Sequence, residues 1–251
     1  MGNGQPLRGG RKKRWGAVSL ELRCGNPHNF SVMLSHTKIA VLTSGGIDSA
    51  ILLFRLLKTF KSVYPIYVRS GHQWERAERY WLRRFLKSIE TPRLKPLVCL
   101  SLATGDLYRH HWSQTGRKIP RASSPDRDVY LPGKNILLIT KTSVYCALQD
   151  IPNLALGPLQ TNPFPDAKAS FFKAIGRAVS QGLNFQISIH TPFLRRSKKS
   201  VMRLGRTLPL ELTFSCLSPK RLTHCGACNK CAERKRAFRS AGLKDQTRYA
   251  R

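Results

Sequence analysis

The segment Thr43-Ser44-Gly45-Gly46-Ile47-Asp48-Ser49 gathers two glycines, two serine hydroxyls and one carboxylate. Paired glycines let the backbone turn tightly and approach a ligand with no Cβ in the way. The apolar run Ile39-Ala40-Val41-Leu42 comes before it and Ala50-Ile51-Leu52-Leu53-Phe54-Arg55-Leu56-Leu57 after it, so the order reads as buried strand, turn and helix. The first amides of such a helix have no internal partners, and the helix dipole adds positive charge there. Ser44 and Ser49 contribute hydroxyl donors, while Asp48 can cap the helix or hold a magnesium ion. This chemistry suits a phosphate or pyrophosphate. An ordinary capped strand-to-helix turn is the competing reading of so short a motif. The G-x-x-x-x-G-K-[ST] loop is absent, since Gly133-Lys134 is followed by Asn135.

A second cluster lies near the C-terminus. Cys216, Cys225, Cys228 and Cys231 follow the spacing C-x8-C-x2-C-x2-C, with Gly226 placed where a tight turn is needed. Four thiolates so spaced can wrap one tetrahedral Zn²⁺, and four protein ligands make such a site structural. Disulfides and an iron–sulfur cluster compete with this reading. The short gaps and the lack of other redox features favour zinc. Cys24, Cys99 and Cys146 are scattered and read as plain thiols.

The elements that must position these groups alternate between strand and helix. After the first pair, strands are expected over Ser62–Val68, Leu97–Leu102, Leu154–Gly157 and Phe185–His190. Helices are expected over Gln73–Glu90, Asn135–Leu148, Ala167–Ser180 and Ser197–Arg206. On the Gln73–Glu90 helix, Trp74, Ala77, Tyr80, Trp81, Phe85 and Leu86 are the expected core contacts. Residues 103–133 read as a long loop that could cover the site. The pattern predicts an α/β fold, a five-stranded parallel doubly wound sheet with a small C-terminal zinc-binding tail. Ligands of such sheets bind at the carboxyl ends of the strands, which collects Thr43–Ser49, Arg69–Gln73, Gly157–Asp166 and His190–Pro192 around one pocket.

The chain has 251 residues, 41% of them hydrophobic, enough for one sizeable core. No apolar stretch reaches the roughly 20 residues of a membrane span, and no secretory signal is evident, so the cytoplasm is the expected compartment. Lysine and arginine number 44 against 13 acidic residues, a formal charge of +31 that draws polyanions non-specifically. Residues 1–35 form a basic segment read as a disordered extension, with Met33 as an alternative start. An ATP-binding unit is expected over 36–210 and the cysteine-bearing tail over 211–251. Oligomeric state is open, a homodimer being one expectation.

The S-G-G-x-D-S form of Ser44–Ser49 resembles the pyrophosphate loop of the ATP-pyrophosphatase superfamily, which has an adenine nucleotide alpha-hydrolase-like fold. Together with Leu131-Pro132-Gly133-Lys134-Asn135, Phe164-Pro165-Asp166, Thr191-Pro192, Ser197-Lys198, Phe214-Ser215-Cys216 and His224–Cys231, it resembles the 7-cyano-7-deazaguanine synthase family. The resemblance implies an ATP-dependent ligase that turns 7-carboxy-7-deazaguanine and ammonia into the nitrile, with ATP as co-substrate, Mg²⁺, and a structural Zn²⁺. It implies ATP binding by Thr43, Ser44, Gly45, Gly46, Ile47, Asp48 and Ser49, with Ser44, Asp48 and Ser49 catalytic. Lys134, Asn135, Asp166 and Lys198 are the implied substrate contacts, although Asp166 also reads as a turn cap. The chain departs from the family pattern at Ser70-Gly71-His72-Gln73 in place of Tyr-Gly-Gln. It departs again at Lys134 in place of Arg, at Asn162-Pro163-Phe164 in place of an Asp and a Tyr, and at Lys199-Ser200 in place of an acid. Two other readings compete: a tRNA-modifying enzyme such as a thiolase, and a non-catalytic zinc-bearing nucleic-acid-binding protein.

Overall fold

The computed structural model describes residues 38–250; Cys24 and the expected N-terminal extension lie outside them. Five parallel strands form one sheet: β1 (Lys38–Leu42), β2 (Ser62–Arg69), β3 (Val98–Ser101), β4 (Asn153–Ala155) and β5 (Ser188–His190), in the order β3-β2-β1-β4-β5. The longer helices are α1 (Ile47–Leu57), α2 (Glu75–Ser88), α4 (Lys134–Leu148), α5 (Ala169–Leu183) and α7 (Asn229–Ala241). The shorter ones are α3 (Trp112–Thr115) and α6 (Lys198–Leu204). The predicted α/β class and the five predicted strands are all found.

Alternation along the strands builds two cores. Ile39 and Val41 of β1 join Tyr67, Ala155, α1, α2, α6 and α7 on one face. Ala40 joins Ile66, Val68, Leu154, α4 and α5 on the other. Helix α1 is apolar nearly all round because it lies between the sheet and the α6–α7 pair; Ile51, Leu52 and Leu53 are each almost completely buried. A third cluster joins Trp74 and Ala77 to Val129, Phe214 and the cysteines. The order reverses between β1 and β4, so the carboxyl ends of these neighbours open the crevice in which the site is built.

Three expectations change. Tyr80 is 39% exposed and Leu82 takes its place in the core, because the buried face runs through Ala77, Leu82, Phe85 and Leu86 and Tyr80 falls on the opposite side of the helix. Residues 103–133 are pinned to the cysteine lobe: the Ala122 amide donates to the Ala227 carbonyl (3.0 Å) and the Asn229 amide to the Pro120 carbonyl (2.9 Å). The segment is therefore a fixed wall of the site. His190–Pro192 does not reach the main cavity, since β5 is the edge strand beyond β4. Among the described residues no helix is long and apolar enough to cross a membrane.

Helix α6 approaches α1 through a glycine. A Cβ built on Gly205 would lie 2.5 Å from Cγ1 of Ile51, a side chain with no room to swing. Gly205→Ala is expected to lower stability by about 1–3 kcal/mol through overpacking, read from urea unfolding.

Candidate functional site

The turn between β1 and α1 takes the shape its residues suggest. Gly45 has φ +76, and a Cβ there would come within 3.2 Å of the Glu78 carbonyl, so α2 presses directly on the loop. Gly46 is the N-cap of α1 and supplies no side chain to the first amides. The hydroxyls hold the loop in shape: Ser49 Oγ donates to the Gly46 carbonyl (3.0 Å) and accepts from the Ser44 amide (3.3 Å). Ser44 Oγ accepts from the Gly46 amide (3.3 Å), standing where an incoming anion would compete for that N–H. Thr43 Oγ1 donates to the Ile66 carbonyl (3.0 Å), fixing the end of β1 to β2.

Asp48 neither caps the helix nor stands free. Lys198 Nζ, at the start of α6, bonds both carboxylate oxygens, at 2.9 and 2.7 Å. The same ammonium lies 3.6 Å from Glu233 Oε1 on α7, whose other oxygen takes Lys230 at 2.6 Å. Burial works against the charge of Lys198, but Asp48 and Glu233 outweigh it and its pKa rises. Burial likewise opposes the Glu233 charge, yet Lys230 and Lys198 hold its carboxyl below the usual range. An alternating chain of charges thus links α1, α6 and α7.

A cavity of about 390 Å³ opens beside the loop, a size suited to a small-molecule ligand. Thr43, Ser44, Gly46, Asp48 and Ser49 form one side of it, and Lys134, Asn135 and Asp166 another. Asp166 Oδ2 accepts from the Asn135 amide (3.0 Å), and Asn135 Nδ2 returns a bond to the Asp166 carbonyl (2.8 Å). Asp166 is therefore a cap, but of α4, about thirty residues away in sequence, and it remains in the cavity wall. Of the four expected substrate contacts, Lys134, Asn135 and Asp166 share this cavity. Lys198 instead faces an adjoining recess of about 230 Å³ with Gly46, Asp48 and Glu233.

Tyr130, Glu75 and Glu78 also stand in the wall and were not expected from sequence, whereas His72 and Phe164 fall in segments that were. Tyr130 and Phe164 stack with centroids 4.7 Å apart, presenting an aromatic surface. Glu75 accepts from the Ser70 and Gly71 amides, and Glu78 Oε2 accepts from Tyr67 Oη at 2.7 Å. Burial pushes the Glu78 carboxyl up to about 8, against the nearby Lys134 charge. Burial lowers Lys134, opposed by Glu78 and Glu75. His72, stacked on Trp74 at 4.7 Å, is driven down to about 3 by burial, with help from Lys134 and His111. A usable signal for the glutamates did exist: Glu75 and Glu78 are one helical turn apart on a helix otherwise rich in arginine.

The four cysteines converge as their spacing predicts. Their sulfurs all lie within 4.8 Å of one another. Cys225–Cys231 and Cys228–Cys216 are 3.9 and 4.0 Å apart. A tetrahedron with Zn–S bonds of about 2.3 Å has edges of about 3.8 Å, whereas a disulfide needs about 2.05 Å. The sulfurs also accept amides, as expected of thiolates: Cys216 Sγ from Ser218 (3.3 Å) and Cys225 (3.2 Å), Cys228 Sγ from Leu217 (3.4 Å). Gly226 makes the turn with φ +80. The cluster can hold a metal ion.

Comparison with known proteins places these features in a family. The family described as "Queuosine biosynthesis protein QueC" matches residues 38–242. The chain is 28% identical over 232 residues to a 7-cyano-7-deazaguanine synthase of Persephonella marina, covering 85% of this chain and 97% of that one. It is 31% identical over 227 residues to the protein of the same name from Sulfurihydrogenibium sp., covering 82% and 96%. Among solved structures, NMN synthetase from Francisella tularensis overlaps with a TM-score of 0.43 at 14% identity, over 87% of this chain and 82% of that one.

The raised pKa of Glu78 has a consequence for stability. Between about pH 4.5 and 8 the folded chain keeps a proton on Glu78 that the unfolded chain has lost. The folded state binds more protons across this window, so this group makes stability fall as pH rises through it. Urea midpoints measured from pH 5 to 8 are expected to decline less steeply in Glu78→Gln than in the parent chain.

Proposed function

The chain belongs to the queuosine biosynthesis protein QueC family, and on that premise we propose that it is an ATP-dependent ligase making 7-cyano-7-deazaguanine from 7-carboxy-7-deazaguanine and ammonia. The observation that carries the reading is the phosphate loop, with its helix amides available, beside a cavity whose wall presents Asp166. A carboxylate is a poor electrophile, so its oxygen attacks the α-phosphorus of ATP, giving an acyl adenylate and releasing pyrophosphate. Ser44, Ser49 and the amides at the start of α1 hold the pyrophosphate as charge builds on it. Lys198 supplies the positive charge beside Asp48. Ammonia then adds to the acyl carbon and AMP leaves, giving the amide. A second ATP activates the amide oxygen in the same way, releasing pyrophosphate; AMP then leaves with that oxygen, the nitrogen gives up its two protons, and the nitrile forms.

Asp166 accepts from the guanine-like N–H groups of the substrate, and Asn135 holds that carboxylate in place. Lys134 meets the substrate carboxylate or a phosphate. The aromatic pair Tyr130–Phe164 offers the heterocycle a stacking surface. Magnesium travels with the ATP phosphates; both oxygens of Asp48 are occupied by Lys198, so they do not fit a cation held by that residue. Zinc suits the four sulfurs, where it supplies a closed structural cross-link. Residues 36–210 carry the nucleotide and 211–251 form the metal-bearing tail on the same unit. The cytoplasm is the compartment, the surface attracts polyanions, and a homodimer is the assembly to test. The cysteine that reaches the recesses beside the loop, Cys216, belongs to the four-sulfur cluster, which argues against thiolation.

Incubation with ATP, ammonium and 7-carboxy-7-deazaguanine is expected to yield the nitrile by mass spectrometry. Asp48→Ala should lower kcat at least a hundredfold while the melting curve stays cooperative; full activity in that variant would remove the loop from the reaction. Elemental analysis is expected to find about one zinc per chain. Cys228→Ser should lose that zinc and melt several degrees lower, and iron in its place would refute the zinc assignment.

A further inference from the structure

The helix that lends its acids to the site has an outer face of a different character. Glu75 and Glu78 of α2 turn inward, toward Ser70, Gly71 and Tyr67. Ala77, Leu82, Phe85 and Leu86 are buried in the fold. What remains outside is Arg76, Tyr80, Arg83, Arg84 and Lys87, all exposed. At 3.6 residues per turn these five fall within an arc of about 100° and span about 16 Å of helix. The arc holds no acid. Among the described residues every ion pair runs through Lys198 or Lys230, so none of these cations is neutralised within the fold. Arg83 and Lys87 repel each other at i,i+4, a destabilising arrangement that no contact in the fold offsets.

Two further observations give the strip a ligand class. The Arg84 guanidinium lies 5.7 Å from the Tyr80 ring centroid and 5.6 Å from that of Trp81, and the two rings meet edge-on at 5.4 Å. The exposed Tyr80 ring with its stacked guanidinium, backed by the half-buried Trp81, forms a surface on which a base can lie. Trp81 Nε1 donates to the Leu222 carbonyl at 2.6 Å, which docks the turn Lys220–Thr223 against the helix. That turn exposes Lys220 and Arg221, and Arg221 holds φ +56, a conformation that costs energy for a non-glycine residue.

We propose that the outer face of α2, with the Lys220–Arg221 turn, is a binding surface for a nucleic-acid strand, its cations meeting phosphates and Tyr80 with Arg84 stacking a base. The apolar side of α2 is consumed by the core, leaving nothing to insert into a bilayer. The proposal gives a location to the polyanion attraction stated above and does not depend on the ligase chemistry.

Fluorescence anisotropy with a labelled oligouridylate of about a dozen nucleotides tests it, using the full chain over a salt series. Arg76→Ser/Arg83→Ser/Lys87→Ser is expected to weaken binding at least tenfold and to reduce the slope of log affinity against log salt by about 2. Lys141→Ser/Lys173→Ser/Arg177→Ser removes the same charge from α4 and α5 and should change affinity by less than threefold. Tyr80→Ala should weaken binding about tenfold with the slope unchanged. Melting temperature and nitrile formation report separately on the fold and on the ligase reading, and both should be retained in the α2 triple. Equal weakening by the two triples would overturn the proposal in favour of a diffuse field. Binding to phosphatidylserine vesicles that depends on the α2 cations, with oligonucleotide binding unaffected, would overturn it in favour of a membrane.

Discussion

The rest of this structure depends on how the turn after β1 is clamped. A loop of two glycines and two serines has little internal stiffness, and it must hold its amides ready for a polyanion. Three contacts supply the stiffness. The Glu78 backbone of α2 closes on Gly45 from one side. The Phe214 amide donates to the Gly45 carbonyl at 2.7 Å. Lys198 locks Asp48 and passes the connection to Glu233 on α7. Two of the three lead to the cysteine cluster: Phe214 stands two residues before Cys216, and α7 begins directly after Cys228. The cysteine knuckle, more than 170 residues away in sequence, is therefore a buttress of the glycine loop. The fully buried Arg234 strengthens the same tail by bonding Leu210, Thr213 and Thr247.

The distribution of charge follows from the same arrangement. Five of the 13 acidic residues, Asp48, Glu75, Glu78, Asp166 and Glu233, line the two connected recesses. There they bond amides, a phenol or lysines. A chain of net charge +31 thus concentrates its few acids where charge must be balanced at close range, and the surplus cations fall on outer faces. Lysines stand among these acids: Lys198 is paired with Asp48 and Lys230 with Glu233, and Lys134 lies in the wall near Glu78. Glu78 and Lys134 are both pushed toward their neutral forms by burial, each opposed by the charge of the other.

What could be read in advance was what local chemistry determines. Gly45, Gly46 and the flanking apolar runs specify strand, turn and helix among neighbours in sequence, and the cysteine gaps specify a knuckle in the same way. Strand identity came through because β1, β2 and β4 are apolar runs between turn residues. The partner of Lys198 did not, because Asp48 lies 150 positions away and the pairing is a product of α6 packing on α1. Asp166 was legible as a cap, but the helix it caps was not. Tyr80 was misread because aromatic character was counted ahead of phase: at about 100° per residue it falls opposite Ala77, Leu82, Phe85 and Leu86. His190–Pro192 was drawn into the site by a rule for strand ends that does not say how far an edge strand lies from the crevice.

The departures from the family pattern become coherent once placed in space. His72, Lys134, Asn162 and Phe164 are separated by up to ninety residues in sequence, yet all four line the cavity beside the loop. Lys199 and Ser200, the remaining departure, line neither recess. The substitutions also compensate one another chemically. Phe164 lacks the hydroxyl of a tyrosine and keeps the ring that stacks on Tyr130. Lys134 replaces a permanently charged guanidinium with an amine that burial can discharge. His72, held neutral against Trp74, adds no charge to a wall that already carries Glu75 and Glu78. The loop, its ionic clamp and the cysteines keep the family's residue types on the other side. The departures that line the cavity thus gather opposite the glycine loop, where a change of side chain alters the space beside Asp166 and leaves the turn after β1 untouched.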